Sequence, residues 1–154
     1  MLPCLNCGSL LASNTGRPPK MKSRISWAEK RDAKGNPHIA YADRPFGGMP
    51  AGTPMLIPTP KLVDAAVRQL PAGKLGDIKA FRAELGRAHG AEFACPLTTG
   101  IFLRIVAEAA FEEEQQGKTD ITPVWRIIDP KAPLAKKLTS GEGWLAQHRK
   151  VEGF

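Results

Sequence analysis

Proline and glycine crowd the first 60 residues of this chain, in GRPPK (16–20), KGNP (34–37) and RPFGGMPAGTP (44–54). Proline lacks the amide donor that a helix or sheet ladder needs, and glycine loses the most conformational freedom on ordering. Residues 1–58 therefore read as an irregular, basic, Pro/Gly-rich N-terminal arm. One short strand candidate interrupts it, Met55–Ile57 in PMLIPTP. A packed domain has to be built from residues 59–154.

Helical periodicity begins where the arm ends. Thr59-Pro60 supplies an N-cap and a first-turn proline, and Leu62, Ala66 and Leu70 follow at four-residue spacing, closed by Pro71 and Gly73. A second helix starts from Asp77 as N-cap, with Ile78, Phe81, Leu85 and Ala88 on one face and Gly90 as its stop. After the connector AEFACP, a third runs from Pro96–Thr99 to Gly117, with Ile101, Phe102, Ile105, Val106 and Ala109 as its buried stripe. Its end carries Glu112, Glu113 and Glu114, the unfavourable sign for a helix C-terminus, so that end is expected to fray. ITPVWRII (121–128) reads as a short strand, Asp129-Pro130 as a turn, and GEGWLAQHRKV as a last helix. The predicted fold is mainly α. Two consecutive helices with a compact connector in a basic chain are compatible with a helix-turn-helix or with a generic helical bundle.

With 154 residues and 42% apolar content, the chain suits one ordinary domain. It has no apolar run long enough for a membrane span and no basic region ahead of its N-terminal apolar residues, so a cytoplasmic protein is expected. Twenty-two Lys/Arg against 15 Asp/Glu give a net charge of +7, which favours a polyanionic partner. Three cysteines are too few for a disulfide framework. Cys4 and Cys7 form a lone C-x-x-C that lacks two further zinc ligands, so no metal and no cofactor are expected. Met21 opens a plausible cytosolic N-terminus, which would make residues 1–20 a misassigned start.

Three short motifs occur in order: Pro71-Ala72-Gly73-Lys74-Leu75, Pro123-Val124-Trp125-Arg126 and Glu152-Gly153. Together they resemble the alkylguanine-DNA alkyltransferase (methylated-DNA–protein-cysteine methyltransferase) family, whose signatures are a P-x-G-K-V helix opening, an active-site Pro-Cys-His-Arg and a terminal Glu-Gly. The resemblance covers about residues 60–154. It implies a winged-helix-like DNA-binding domain with a short strand pair over 59–154, acting as a monomer on double-stranded DNA. It also locates departures. The alkyl-accepting cysteine falls on Val124 and its activating histidine on Trp125. A family tyrosine falls near Ile78, and the arginine finger falls in Pro96–Thr99, where Leu97 stands. A thiolate is what accepts an alkyl group from guanine, so transfer at Val124 is excluded. The resemblance is then to the alkyltransferase-like proteins, which bind alkylated guanine without repairing it and flag it to a repair-protein partner.

Cys95, just before the third helix, is the rival nucleophile for an active methyltransferase. Its competing role is that of a buried structural cysteine. Thr98 and Thr99 offer hydroxyls for phosphate or for capping, and Arg104 offers a DNA contact or a solvated face. Trp125 is read as a base-stacking platform or a core indole, and Arg126 as a phosphate ligand or a loop-positioning group. Pro123, Val124 and Trp125 are expected to wall a pocket. The alternative in another class is a protein-interaction module that has left DNA.

Overall fold

The computed structural model describes residues 25–46 and 48–154. Cys4, Cys7 and the alternative start at Met21 lie outside them. In order, the elements are α1 (Trp27–Arg31), β1 (His38–Tyr41), β2 (Pro54–Ile57), α2 (Pro60–Arg68), α3 (Ile78–Arg87), β3 (Phe93–Ala94), α4 (Pro96–Gln115), a 3-10 turn (Val124–Arg126), α5 (Pro133–Lys136) and α6 (Gly141–Glu152). The protein is mainly helical with a small three-stranded sheet. Among the described residues, no helix is long and apolar enough to cross a membrane.

The local signals place α2 and α3 well. The Thr59 hydroxyl accepts from Leu62 N ahead of Pro60, and the Asp77 carboxylate accepts from Lys79 N. Val63 and Val67 of α2, which packs on α4, and Phe81 and Leu85 of α3, which packs on β3, join one core cluster with Leu103, Val106 and Ala110.

Where it is described, the segment expected to be irregular carries α1, β1 and, at the expected Met55–Ile57, β2, with turns and irregular chain between them. Residues 38–41 pair antiparallel with 54–57, in the register Ile39 to Leu56, and β2 pairs parallel with β3, Leu56 beside Ala94. The sheet thus takes two strands from before residue 58 and one from after it, rather than forming a single strand pair. Leu56, wholly buried, is the residue that joins it to the core. Gly86 permits the third side of this contact: a Cβ there would fall 2.3–2.6 Å from the Phe93 backbone, so only glycine lets α3 lie this close to β3.

The acidic end of α4 corrects the expectation of fraying. Glu112 accepts from the backbone N–H groups of Trp27 and Ala28, which opens α1 beneath a capping box formed by Ser26 and Glu29. Glu113 holds the Arg31 guanidinium with two hydrogen bonds of 2.9 and 3.0 Å, both side chains being buried. Glu114 accepts from the Trp144 indole and lies 2.9 Å from His148 Nε2. The dipole cost of acids at this end is offset because each carboxylate meets a cation or free N–H donors from another element.

Candidate functional site

ITPVWRII is not a strand. Thr122 donates its hydroxyl to Asp64, and Val124–Arg126 form a 3-10 turn that Ile127 N closes by donating to Val124 O. Packing outweighs the β-propensity of the run. Val124, at the position where the family resemblance places a nucleophile, is an aliphatic side chain with no exposed surface, set among the core residues. Pro123 and Trp125 are buried as well.

Helix α6 clamps this turn. Glu152 accepts from Trp125 Nε1 at 2.9 Å and from Arg126 Nε and Nη2 at 3.1 and 2.7 Å, while Arg126 Nη1 donates to Leu70 O. Arg149 donates to the carbonyls of Trp125 and Ile128 at 2.7 and 3.0 Å. The Arg126 hydrogen bonds, seconded by the Trp125 indole, hold the Glu152 carboxyl down at about 2 against an ordinary 4.5. One face of the Trp125 ring stacks on His148 at 4.1 Å, and Trp144 meets it edge-on. Gly76 N donates to Arg126 O at 2.6 Å, tying the loop before α3 to the same turn. The side-chain donors of Trp125 and Arg126 are thus engaged inside the protein, as a core indole and a loop-positioning arginine would be.

The open space lies one step along the chain. A cavity of about 340 Å³ is walled by Ile78 and Arg82 of α3, by Pro96, Thr99, Gly100 and Leu103 at the start of α4, by Ile127, Ile128 and Asp129 after the turn, and by Ala132 and Leu134. Its size is in the range of ligand pockets, and its lining is apolar with a few polar groups. Thr99 is fully buried, and its hydroxyl has no hydrogen-bond partner among the described residues; Arg82 Nε is equally buried and unpartnered. A buried hydroxyl left in this state costs about 1–3 kcal/mol.

The other predicted site residues are more dispersed. Cys95 is the N-cap residue of α4, buried, and is not among the residues that line the cavity; its N–H donates to Leu56 O at 2.8 Å. His89, a candidate base six residues before Cys95, follows the end of α3, with Nδ1 3.0 Å from Leu85 O. Neither Thr98 nor Thr99 caps α4, because both lie inside it; Thr98 Oγ1 reaches Cys95 O only at 3.5 Å. Arg104 turns toward α1, 6.0 Å from the Trp27 ring, with Glu108 at 4.0 Å. Sequence reasoning missed Arg82, which α3 periodicity assigns to solvent, and the clamp residues Arg149 and Glu152, although the terminal Glu-Gly motif contains the latter. Exposed Leu97 and Ile101 mark the outer face of the first turns of α4. Comparison with models of protein families, with curated proteins and with solved structures finds no match for this chain.

Proposed function

We propose that the chain is a DNA-binding protein of the alkyltransferase-like kind, with a winged-helix-like arrangement of α3, α4 and the small sheet, that holds an extruded alkylated base without taking its alkyl group. The observation that carries this reading is the cavity between α3, the first turns of α4 and the residues directly after the Val124–Arg126 turn. An enzyme or binder of a damaged base needs such a recess beside the helix that enters the groove, because the base has to leave the stack to be read. The absence of a thiol at Val124 and the burial of Cys95 away from the cavity favour binding over transfer. The net charge of +7, with Lys79, Arg82 and Arg87 on α3, favours a polyanion.

A salt titration tests the partner class. Affinity for a short fluorescent duplex is expected to fall steeply with rising salt, with a slope of about −0.9 for each phosphate neutralised. An affinity independent of salt would turn the reading toward a protein-interaction module.

A further inference from the structure

We infer that the outer edge of β1 takes up an extended segment of another protein, its apolar residues followed by acids, as an added antiparallel strand. Among the described residues, β1 stands at the end of the order β1-β2-β3, with β2 on one side and no strand on the other. Ala42 N donates to Thr53 O at 3.2 Å, so by alternation Ala40 and His38 also turn their backbone groups toward β2. On β2, the carbonyls of Pro54 and Leu56 accept from Glu92 N and Cys95 N on the far side, which gives the same alternation. Ile39 and Tyr41, paired with Leu56 and Pro54, therefore point N–H and C=O outward along the edge. None of these residues lines the cavity between α3 and α4, so the site is distinct from the one proposed for a base.

Proteins commonly guard an edge strand with a lysine or a proline inside it, and His38–Tyr41 has neither. Residues 35–43 hold no Lys or Arg in a chain that has 22. Tyr41, 67% exposed, projects from the same sheet face as Ile39, which is half-buried against the core. The two offer an added strand one aromatic and one β-branched neighbour, the kind of side chain that stabilises cross-strand pairs. Charge sets the rest of the occupant's chemistry. Just before β1, Lys34 and Lys61 wall one hollow, and Asp32, the one acid among its lining residues, is already bonded to Arg31. In an antiparallel pairing, the residues that follow the occupant's apolar stretch reach this end, so acids belong there. A second copy of this chain fits less well. It would bring Asp43 and Arg44 to that end, with no net charge between them, and two chains of +7 repel.

The test is fluorescence anisotropy of a labelled synthetic peptide, Val-Thr-Val-Thr-Val-Glu-Glu-Asp, titrated with the full chain. Saturable binding is expected. The same peptide with N-methyl groups on its valine and threonine nitrogens keeps its charge but cannot pair, and is expected to bind about tenfold more weakly or not at all. Tyr41→Pro removes one outward donor and leaves the bonds to β2, so it is expected to cost about tenfold, whereas Tyr41→Ala keeps the donor and costs less. Circular dichroism checks that both variants fold; if Tyr41→Pro does not, the N-methylated peptide decides on wild type. No binding, equal binding of the N-methylated peptide, equal binding of a version ending in three lysines, or full binding by folded Tyr41→Pro would overturn the proposal. So would a wild-type dimer in sedimentation equilibrium that Tyr41→Pro dissociates, because a second copy would then hold the edge.

Discussion

Replacing Arg31 with alanine is expected to lower the unfolding free energy by about 3–5 kcal/mol, the usual consequence of leaving one member of a buried ion pair alone. Arg31 is 8% exposed, and Glu113, its partner on α4, is 5% exposed. Each stabilises the charge of the other: hydrogen bonds to Arg31 lower the Glu113 carboxyl, and those to Asp32 and Glu113 raise the Arg31 guanidinium. Without the guanidinium, the Glu113 carboxylate keeps the desolvation cost and retains only Lys118, at 3.5 Å and more than half exposed. The double variant Arg31→Ala, Glu113→Gln is expected to recover part of the loss, since no uncompensated charge remains. Urea unfolding followed by circular dichroism measures both. A loss under about 1 kcal/mol for Arg31→Ala would show that α1 is not held to α4 by this pair.

The second large effect is acid-dependent. Glu152 titrates at about 2 in the folded protein and near 4.5 when unfolded. A carboxylate with a depressed folded value contributes stability that is complete above the unfolded value and is lost as pH falls from about 4.5 toward 2. For a side chain about one-sixth exposed, the contribution at pH 7 is roughly 2–3 kcal/mol after allowance for solvent screening. Glu152→Gln is expected to remove it, so the variant is less stable at pH 7 and loses less on acidification than wild type. The acid slope does not vanish, because Asp32 and Glu113 are also lowered. Parallel acid-unfolding slopes for the two proteins would mean that Arg126 and Trp125 are positioned without Glu152.

Helices governed by local chemistry were legible in the sequence. Thr59-Pro60, Asp77 and Pro96 open α2, α3 and α4 because N-caps and first-turn prolines act within a few residues. Features set by distant partners were not. Strand β1 is four residues long and takes its meaning from β2, whose Pro54 pairs with Tyr41 from thirteen positions on, beyond the turn-rich segment between them. Glu112, Glu113 and Glu114 look misplaced until α1 and α6 supply their donors. ITPVWRII reads as a strand until Asp64, Gly76 and Glu152 are seen to occupy its polar groups.

The candidate site divides in the same way. The tetrapeptide at 123–126 is visible in the sequence as an unusual feature, but the chain folds it into the core and presents the following Ile127 and Ile128 to the cavity instead. Thr99 was visible as a polar residue at a helix start, whereas its full burial depends on how α3 and the residues after the turn close over α4. Arg82 carries no local signal at all. Its Nε is buried in the folded chain, on the wall of a cavity that residues from α3, α4 and the segment after the turn share.

The central claim is that this protein binds a damaged duplex and leaves the damage in place. Incubation with a duplex carrying one O6-methylguanine, followed by anisotropy and by intact-protein mass measurement, tests both halves in one sample. The expected result is tighter binding than to the undamaged duplex and an unchanged protein mass. A mass gain of one methyl group, abolished in Cys95→Ala, would contradict the claim and identify a methyltransferase; failure to bind either duplex would contradict it from the other side.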